Sequence, residues 1–456
     1  MAKVAFFHNA LGKTDGVSLE VDKWRAVLEI MGHTVFYCAG NDDAKNVYCI
    51  PELSFMHPVS NKILRNATVK LVDYKTEQDL EKDIYEEAAI IKEKLLEFIK
   101  KNEIDILIPN NLLSVGYHLP ALIALSEVIK ETGLPTIAHN HDFYFEDSGE
   151  VHPTCDVAQN ILDTYSPPAY PNVQNLVINK LAQKALLEKK GIHSTVVPNV
   201  FDFNQPQWQE DDYNSDFRQE MQIGENDLVF LQATRVMDRK GIELAIDVIA
   251  ELNKPENKKL LAEKTLYNGK KFSENDKIVL LCSGHIESFG ATDSYHENLL
   301  KRAEKEGVDI RFVGERVKHS RGELQGNKVY SLWDSYVHSD FVTYPSLWEG
   351  WGNQFIEAIF AKLPVVLFEY PVFVSDLKED DFSVVSLGDK ISGTDEMGLA
   401  VVDERIISQA AQEIVAILTD KEKYTQIVEK NFRIAKEKYS FETLRTIIEK
   451  LLAHIA

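Results

Sequence analysis

Apolar residues along the chain follow two alternating rhythms. Short continuous runs at Val4–Phe7, Thr34–Cys38, Ile104–Ile108 and Thr136–Ala138 are interleaved with stretches of helical spacing at Val17–Met31, Ile84–Lys101 and Leu119–Glu131. A run of four or five apolar residues reads as a strand buried on both faces, and apolar positions three and four apart read as one face of a helix. Their alternation predicts β-α-β units and a parallel sheet. Strand Asn175–Ile178, helix Lys180–Lys190 and strand Ser194–Val197 extend the series, while the polar stretch Asn41–Asp79 predicts no clear element. A second series opens with strand Leu228–Gln232 and helix Ile242–Leu252. It continues through strands Ile278–Cys282 and Ile310–Val313 and a helix over Val329–His338. Helices Ile406–Leu418, Lys421–Tyr439 and Phe441–Ile455 end the chain. The acidic, Gln-rich segment Asn204–Asp216 reads as a linker and Lys254–Asp276 as a polar insertion. Two doubly wound α/β domains are therefore expected, residues 1–203 and residues 217–439.

The densest chemistry lies between Tyr344 and Leu367. The β-prone run Asp340–Thr343 is stopped by Pro345 and Ser346, where an open α/β sheet presents ligands beyond the carboxyl ends of its strands. Glu349, Gly350, Trp351 and Gly352 form a bend whose two glycines remove side chains that would keep a ligand off the backbone. From Asn353 onward Phe355, Ile356, Ile359 and Phe360 recur at helical spacing. A helix start has orphan N–H groups and a positive dipole end, which suits a phosphate or a sugar hydroxyl. Glu349 and Glu357 place one carboxylate in the loop and one in the helix, and each can accept bonds from two adjacent hydroxyls. Read alone, the pair is more often two solvated glutamates beside a Gly-rich turn, because Glu is common at helix starts.

Two further clusters carry candidate chemistry. Arg235 and Lys240, five apart across a strand-to-helix loop, can converge on one diphosphate, the first as a planar fork and the second as a point charge. His139-Asn140-His141-Asp142 ends a strand, but His152 and Cys155 complete no recognised metal spacing with it. The loop His8–Gly16 contains Gly12-Lys13-Thr14 yet is no P-loop, because Phe7 stands where the first glycine would be.

The run from Pro345 to Val365 resembles the Glu-x7-Glu signature of retaining nucleotide-sugar glycosyltransferases of GT-B fold, with Phe360 and Lys362 in place of an alanine and a glycine. Arg235-x4-Lys240-Gly241 resembles that family's diphosphate site, and Pro198-Asn199-Val200-Phe201-Asp202 resembles the sequence that ends its first domain. The resemblance implies two Rossmann-like domains facing across a cleft, the closing helix 440–456 returning to the first. It implies transfer of a hexosyl group from a nucleoside diphosphate sugar, with no metal and no further cofactor. Arg235 and Lys240 would stabilise the leaving diphosphate, Glu349 the sugar, and Glu357 the ribose. Gly350, Trp351, Gly352 and Asn353 would line the donor, and the backbone of Arg316 and Val317 the base. His141, counted from Pro135, would reach the donor sugar, with His139 and Asp142 lining the acceptor side. The first loop, Gly12 with Asp15-Gly16 where two adjacent glycines are usual, would touch both substrates. The run His139–Tyr144 is similar to the H-x-H-D-F-Y of trehalose synthase-like and mannosylglucosylglycerate synthase-like members, which points to a small soluble acceptor and to UDP-glucose or GDP-mannose. The alternatives are a non-catalytic nucleotide-sugar or glycan-binding module and a phosphorylase-like enzyme using a sugar 1-phosphate.

Charge narrows the partners. A formal net charge of −22 argues against nucleic acid, whose backbone is held by clustered Lys and Arg. The one basic amphipathic candidate, Ile84–Lys101, interleaves glutamates with its lysines and more simply faces a sheet, so membrane association is not expected. Four scattered cysteines and a first strand that begins within a few residues of Met1 lead us to expect a reducing cytoplasm. Self-association as a homodimer stays open.

Overall fold

Two separate parallel sheets hold most of the strands of the computed structural model, which describes residues 1–12, 15–43, 46–146, 151–287 and 292–454. Residues 1–200 with 439–456 form one unit, and residues 201–438 a second.

The first unit runs β1 (Lys3–His8), α1 (Gly16–Ile30), β2 (Thr34–Ala39), β3 (Val47–Cys49), α2 (Pro58–Thr68), α3 (Glu77–Asn102) and β4 (Ile106–Pro109). It continues with α4 (Leu119–Thr132), β5 (Thr136–Asn140), α5 (Asp156–Tyr165), β6 (Val173–Val177), α6 (Lys180–Lys190) and β7 (Thr195–Val196). The strands lie in the order β3-β2-β1-β4-β5-β6-β7, all parallel. Alternate strand residues serve opposite faces. Phe7, Leu107, Ala138 and Val177 pack with helices α2 to α6. Phe6, Ile108, Ile137 and Leu176 pack with Trp24 of α1 and with Leu444, Ile448 and Leu451 of the closing helix, Phe441–Ala453. Ile455, read as the end of that helix, lies outside the described residues, as do Lys13 and Thr14 of the first loop.

In the second unit α7 (Phe217–Glu220) precedes β8 (Leu228–Gln232), α8 (Ile242–Leu252), α9 (Pro255–Glu263), β9 (Ile278–Cys282), α10 (Thr292–Glu306) and β10 (Asp309–Phe312). A small sheet of β11 (Val317–Lys318), β12 (Gly322–Leu324) and β13 (Asn327–Ser331) leads to α11 (Leu332–Val337), β14 (Phe341–Tyr344), α12 (Asn353–Phe360), β15 (Val365–Leu367) and β16 (Val385–Ser386). Helices Glu404–Leu418 and Lys421–Lys438 complete it. The main sheet is again parallel, β10-β9-β8-β14-β15-β16. In both sheets strand order reverses beside the first strand, between β1 and β4 and between β8 and β14. Crevices for ligands open at the carboxyl ends of strands at such points.

Several expectations need correction. The stretch 41–79 holds β3, α2 and the start of α3, and Asp156–Tyr165, to which the sequence reading assigned no element, is α5. Val329–His338 is a strand followed by a helix. Val329 pairs with Gly322, and Ser331 with Asp334 makes a capping box that starts α11 at Leu332. The segment read as a linker is anchored to the second unit, with Trp208 stacked on Trp333 at 4.6 Å and Asn214 donating to Asp334 at 2.9 Å. The polar insertion buries Leu261, Leu266 and Phe272 in the second core.

Two glycines let the strand-end loops of the second sheet touch through their backbones. A Cβ on Gly284 would stand 1.9 Å from the Thr234 carbonyl oxygen, and one on Gly314 would stand 2.3 Å from that of Gly284. Gly284→Ala is therefore expected to lower the midpoint of thermal unfolding by the equivalent of about 1–3 kcal/mol, the usual cost of overpacking. Gly322→Ala, with nothing within 4 Å of its Cβ, is the control and should unfold like the wild type.

Candidate functional site

The loops after β8 and β14 meet at the reversal point of the second sheet. Beneath them Thr343 Oγ1 donates to Gln232 Oε1 at 2.6 Å, tying the two strand ends together. Gly241 has φ +57°, and a Cβ there would meet the Pro345 carbonyl oxygen at 2.4 Å, so the two loops lie backbone against backbone. The Leu347 N–H donates to the Arg239 carbonyl at 2.8 Å, and the Arg239 guanidinium donates to the Trp348 carbonyl at 3.0 Å.

This frame buries an ion pair. Lys240 Nζ stands 2.5 Å from Glu349 Oε1, with Arg239 Nη1 3.4 Å from Oε2, and Lys240 and Glu349 are only 4 % and 7 % exposed. Burial alone would raise the Glu349 carboxyl, but Lys240 and Arg239 outweigh it and hold the group below its ordinary range. Burial pulls the Lys240 ammonium down, and Glu349 offsets only part of that. The carboxylate is thus fixed as an anion and its partner is a desolvated cation.

Arg235 is placed differently from the expectation of convergence. Its guanidinium pairs with Glu287, from the loop after β9, while Lys240 turns to Glu349. Each cation has a carboxylate of its own. Glu357, on the first turns of α12, accepts from the Tyr336 hydroxyl at 3.1 Å, and Tyr336 is itself fully buried. Gly352 is required by its neighbour Tyr370. At φ +149° its Cβ would fall 2.4 Å from the Tyr370 hydroxyl, which donates to the Trp351 carbonyl at 2.7 Å. The Trp351 side chain is buried, Gly350 lies in the same bend, and Asn353 opens α12. The N–H groups of Arg316 and Val317 both turn back to the Val313 carbonyl, and the Arg316 carbonyl accepts from Tyr330, so these backbone groups are engaged within the chain.

At the reversal point of the first sheet the organiser is a residue that sequence reasoning passed over. Asn111 sits at φ +59°, which an Asn tolerates in the left-handed region. Its Oδ1 accepts from the N–H groups of His141 at 2.7 Å and Asp142 at 3.2 Å, and its Nδ2 donates to Asp142 Oδ2 at 3.0 Å. His141 and His139 have ring centroids 4.2 Å apart, and His139 packs in turn against Trp24 at 4.8 Å. Burial pushes His139 down to about 3 and His141 well below its ordinary value, so both rings are neutral. His139, expected to line an acceptor surface, is 1 % exposed and packs between His141 and Trp24. Asp142 lines a cavity of about 320 Å³ together with His8, Asn111, Phe55 and Tyr117. Gly12, Asp15 and Gly16 are exposed on the neighbouring loop, where Asp15 caps α1 through the N–H groups of Val17 and Ser18. His8, Arg239, Glu287, Tyr336 and Asn111 were not singled out as site residues by the sequence reading. Only Arg239, basic and adjacent to Lys240, carried a local signal.

Among the described residues no helix is long and apolar enough to cross a membrane, and no three His, Cys, Asp or Glu side chains are grouped as metal ligands.

The ion pair makes its own test. A carboxyl held low contributes stability above the unfolded value of about 4.3, lost as pH falls through the folded value. Lys240→Met should cost about 3–5 kcal/mol at pH 7, the scale for removing one partner of a buried pair. With the lysine gone Glu349 becomes easier to protonate, so the deficit in urea unfolding should shrink toward pH 4.5. A deficit that does not change with pH would contradict the pairing.

Residues 214–434 match the family model described as Glycosyl transferases group 1. A mannosylglucosylglycerate synthase of Petrotoga mobilis (strain DSM 10674 / SJ95) is 38 % identical over 421 residues, 92 % of this chain and 94 % of that protein. A mannosylglucosylglycerate synthase of Thermotoga maritima (strain ATCC 43589 / DSM 3109 / JCM 10099 / NBRC 100826 / MSB8) is 38 % identical over 448 residues, 98 % of this chain and 99 % of that one. A solved glycosyltransferase from Rickettsia africae ESF-5 matches with a TM-score of 0.63 at 12 % identity, over 100 % of this chain and 98 % of its own. Sucrose-phosphate synthase from Thermosynechococcus elongatus gives a TM-score of 0.60 at 11 % identity, over 100 % and 99 %. At these identities the structural likeness is one of fold. The chain belongs to the glycosyl transferases group 1 family and has its GT-B fold of two parallel α/β sheets.

Proposed function

We propose that this protein transfers a mannosyl group, with retention and without a metal, from GDP-mannose to a hydroxyl of a glucosylglycerate. The observation that carries the donor half is the buried Lys240–Glu349 pair at the reversal point of the second sheet. The sugar and acceptor rest on 38 % identity to two proteins named mannosylglucosylglycerate synthase. UDP-glucose, the other donor left open by the sequence, lacks that support. Residues 201–438 would hold the nucleotide sugar, and residues 1–200 with the closing helix the acceptor.

The bond from the sugar C1 to the diphosphate breaks while the acceptor oxygen bonds to C1 on the same face, and the acceptor proton passes to the leaving phosphate. Negative charge grows on the diphosphate, so Lys240 and Arg235 would stabilise its departure electrostatically. Arg235 would exchange Glu287 for a phosphate oxygen. Glu349, kept anionic by Lys240 and Arg239, would bind sugar hydroxyls and face the oxocarbenium-like centre. No covalent nucleophile is assigned to it. Glu357, oriented by Tyr336, would hold the ribose, with the Gly350–Asn353 bend and the Arg316–Val317 turn beside the donor.

Glu349→Ala and Lys240→Ala should each lower kcat at least about a hundredfold, the scale for losing a preorganised electrostatic contact. Near-normal turnover in both would sink the site assignment. Activity should survive EDTA; loss on chelation with recovery on Mn²⁺ would sink the metal-free reading.

A further inference from the structure

The cavity beside β1 and β4 has a one-sided chemistry. Asp142 and Glu146 line it, and among the described residues none of its lining side chains is Lys or Arg. Asp15, close enough to act on His8, already occupies the N-terminus of α1 with its carboxylate, 3.0 Å from the Ser18 N–H. An anionic group would therefore meet carboxylates and a filled helix end. Phe55 and Tyr117, edge to face at 6.1 Å, form the apolar wall. Aromatic faces and hydrogen-bonding side chains on one cavity suit a pyranose ring, whose C–H and O–H groups alternate.

His8 gives the cavity a directional contact. Its Nδ1 stands 2.9 Å from the Asn110 carbonyl, which can only accept, so Nδ1 carries the hydrogen. Burial lowers the ring's affinity for a second proton, against the Asn110 carbonyl and Asp15, so the ring is neutral. Nε2 is then a lone-pair acceptor on a residue that borders the cavity. It can take a hydrogen bond from a hydroxyl, and a carboxylate has none to give.

We infer that this cavity binds the uncharged sugar ring of the acceptor, with His8 Nε2 as the positioning residue that receives one of its hydroxyls, and that the acceptor's carboxylate is not read there. The inference rests on the acceptor assignment proposed above. It is tested with the full-length protein and saturating GDP-mannose, comparing glucosylglycerate with glucosylglycerol, in which the carboxylate is replaced by an uncharged hydroxymethyl group. The two kcat/KM values should agree within about tenfold. His8→Phe should raise acceptor KM at least about tenfold with donor KM unchanged, and His8→Gln, whose amide oxygen can also accept, should restore part of the loss. Thermal unfolding of both variants would separate a binding defect from misfolding, and the comparison of acceptors needs no variant. Transfer to glucosylglycerate alone, or a His8→Phe effect confined to donor KM, overturns the inference and leaves the proposed function standing. Transfer to neither acceptor overturns both.

Discussion

The second sheet's site depends on one buried ion pair. Taking Lys240 and Glu349 out of water is costly, and their attraction repays it only with good geometry and further hydrogen bonds. Here the geometry is imposed by backbone. Gly241 lets the Pro345 carbonyl approach, the Arg239 carbonyl receives the Leu347 N–H, and Arg239 closes over the far oxygen of Glu349. A pair held this way contributes little net stability, but it fixes a carboxylate in its charged form and a cation in a desolvated one. Both are states that a site stabilising separated charge needs ready before the reaction.

The first unit builds its reversal point around an amide. Its reversal point is set by Asn111, whose single amide fixes the backbone of His141 and Asp142 and the Asp142 carboxylate together. Three histidines lie there, and burial keeps all of them neutral. The two sheets thus offer contrasting chemistry from the same topology. One gathers Lys240, Arg239 and Arg235 around acidic side chains, and the other gathers neutral rings, amides and carboxylates.

Much of this was legible in the chain. Lys180–Lys190, Leu228–Gln232, Ile242–Leu252 and Ile278–Cys282 appear as read, because an apolar run flanked by polar residues leaves a buried strand or an amphipathic helix little choice. Periodicity failed where burial is sparse or comes from turn chemistry. α2 buries only Ile63 and Ala67 among its apolar residues, and the switch from β13 to α11 turns on Ser331 and Asp334 rather than on any change of hydrophobicity. Glu349, Glu357, Lys240 and Arg235 stood out through spacing and resemblance. Their partners did not, because Glu287 and Tyr336 come from 52 residues beyond Arg235 and 21 before Glu357, and only the fold brings them near. Tertiary contacts at such distances leave no local pattern to read.

The central claim, that the Lys240–Glu349 crevice with Glu357 is a nucleotide-sugar site, is tested most directly by calorimetric titration of the purified protein with GDP-mannose, UDP-glucose, UDP-galactose, UDP-N-acetylglucosamine and ADP-glucose, repeated with Glu357→Gln. The account requires saturable binding of GDP-mannose in preference to the others, weakened in the variant. Equal binding by variant and wild type, or no binding of any nucleotide sugar, would contradict it.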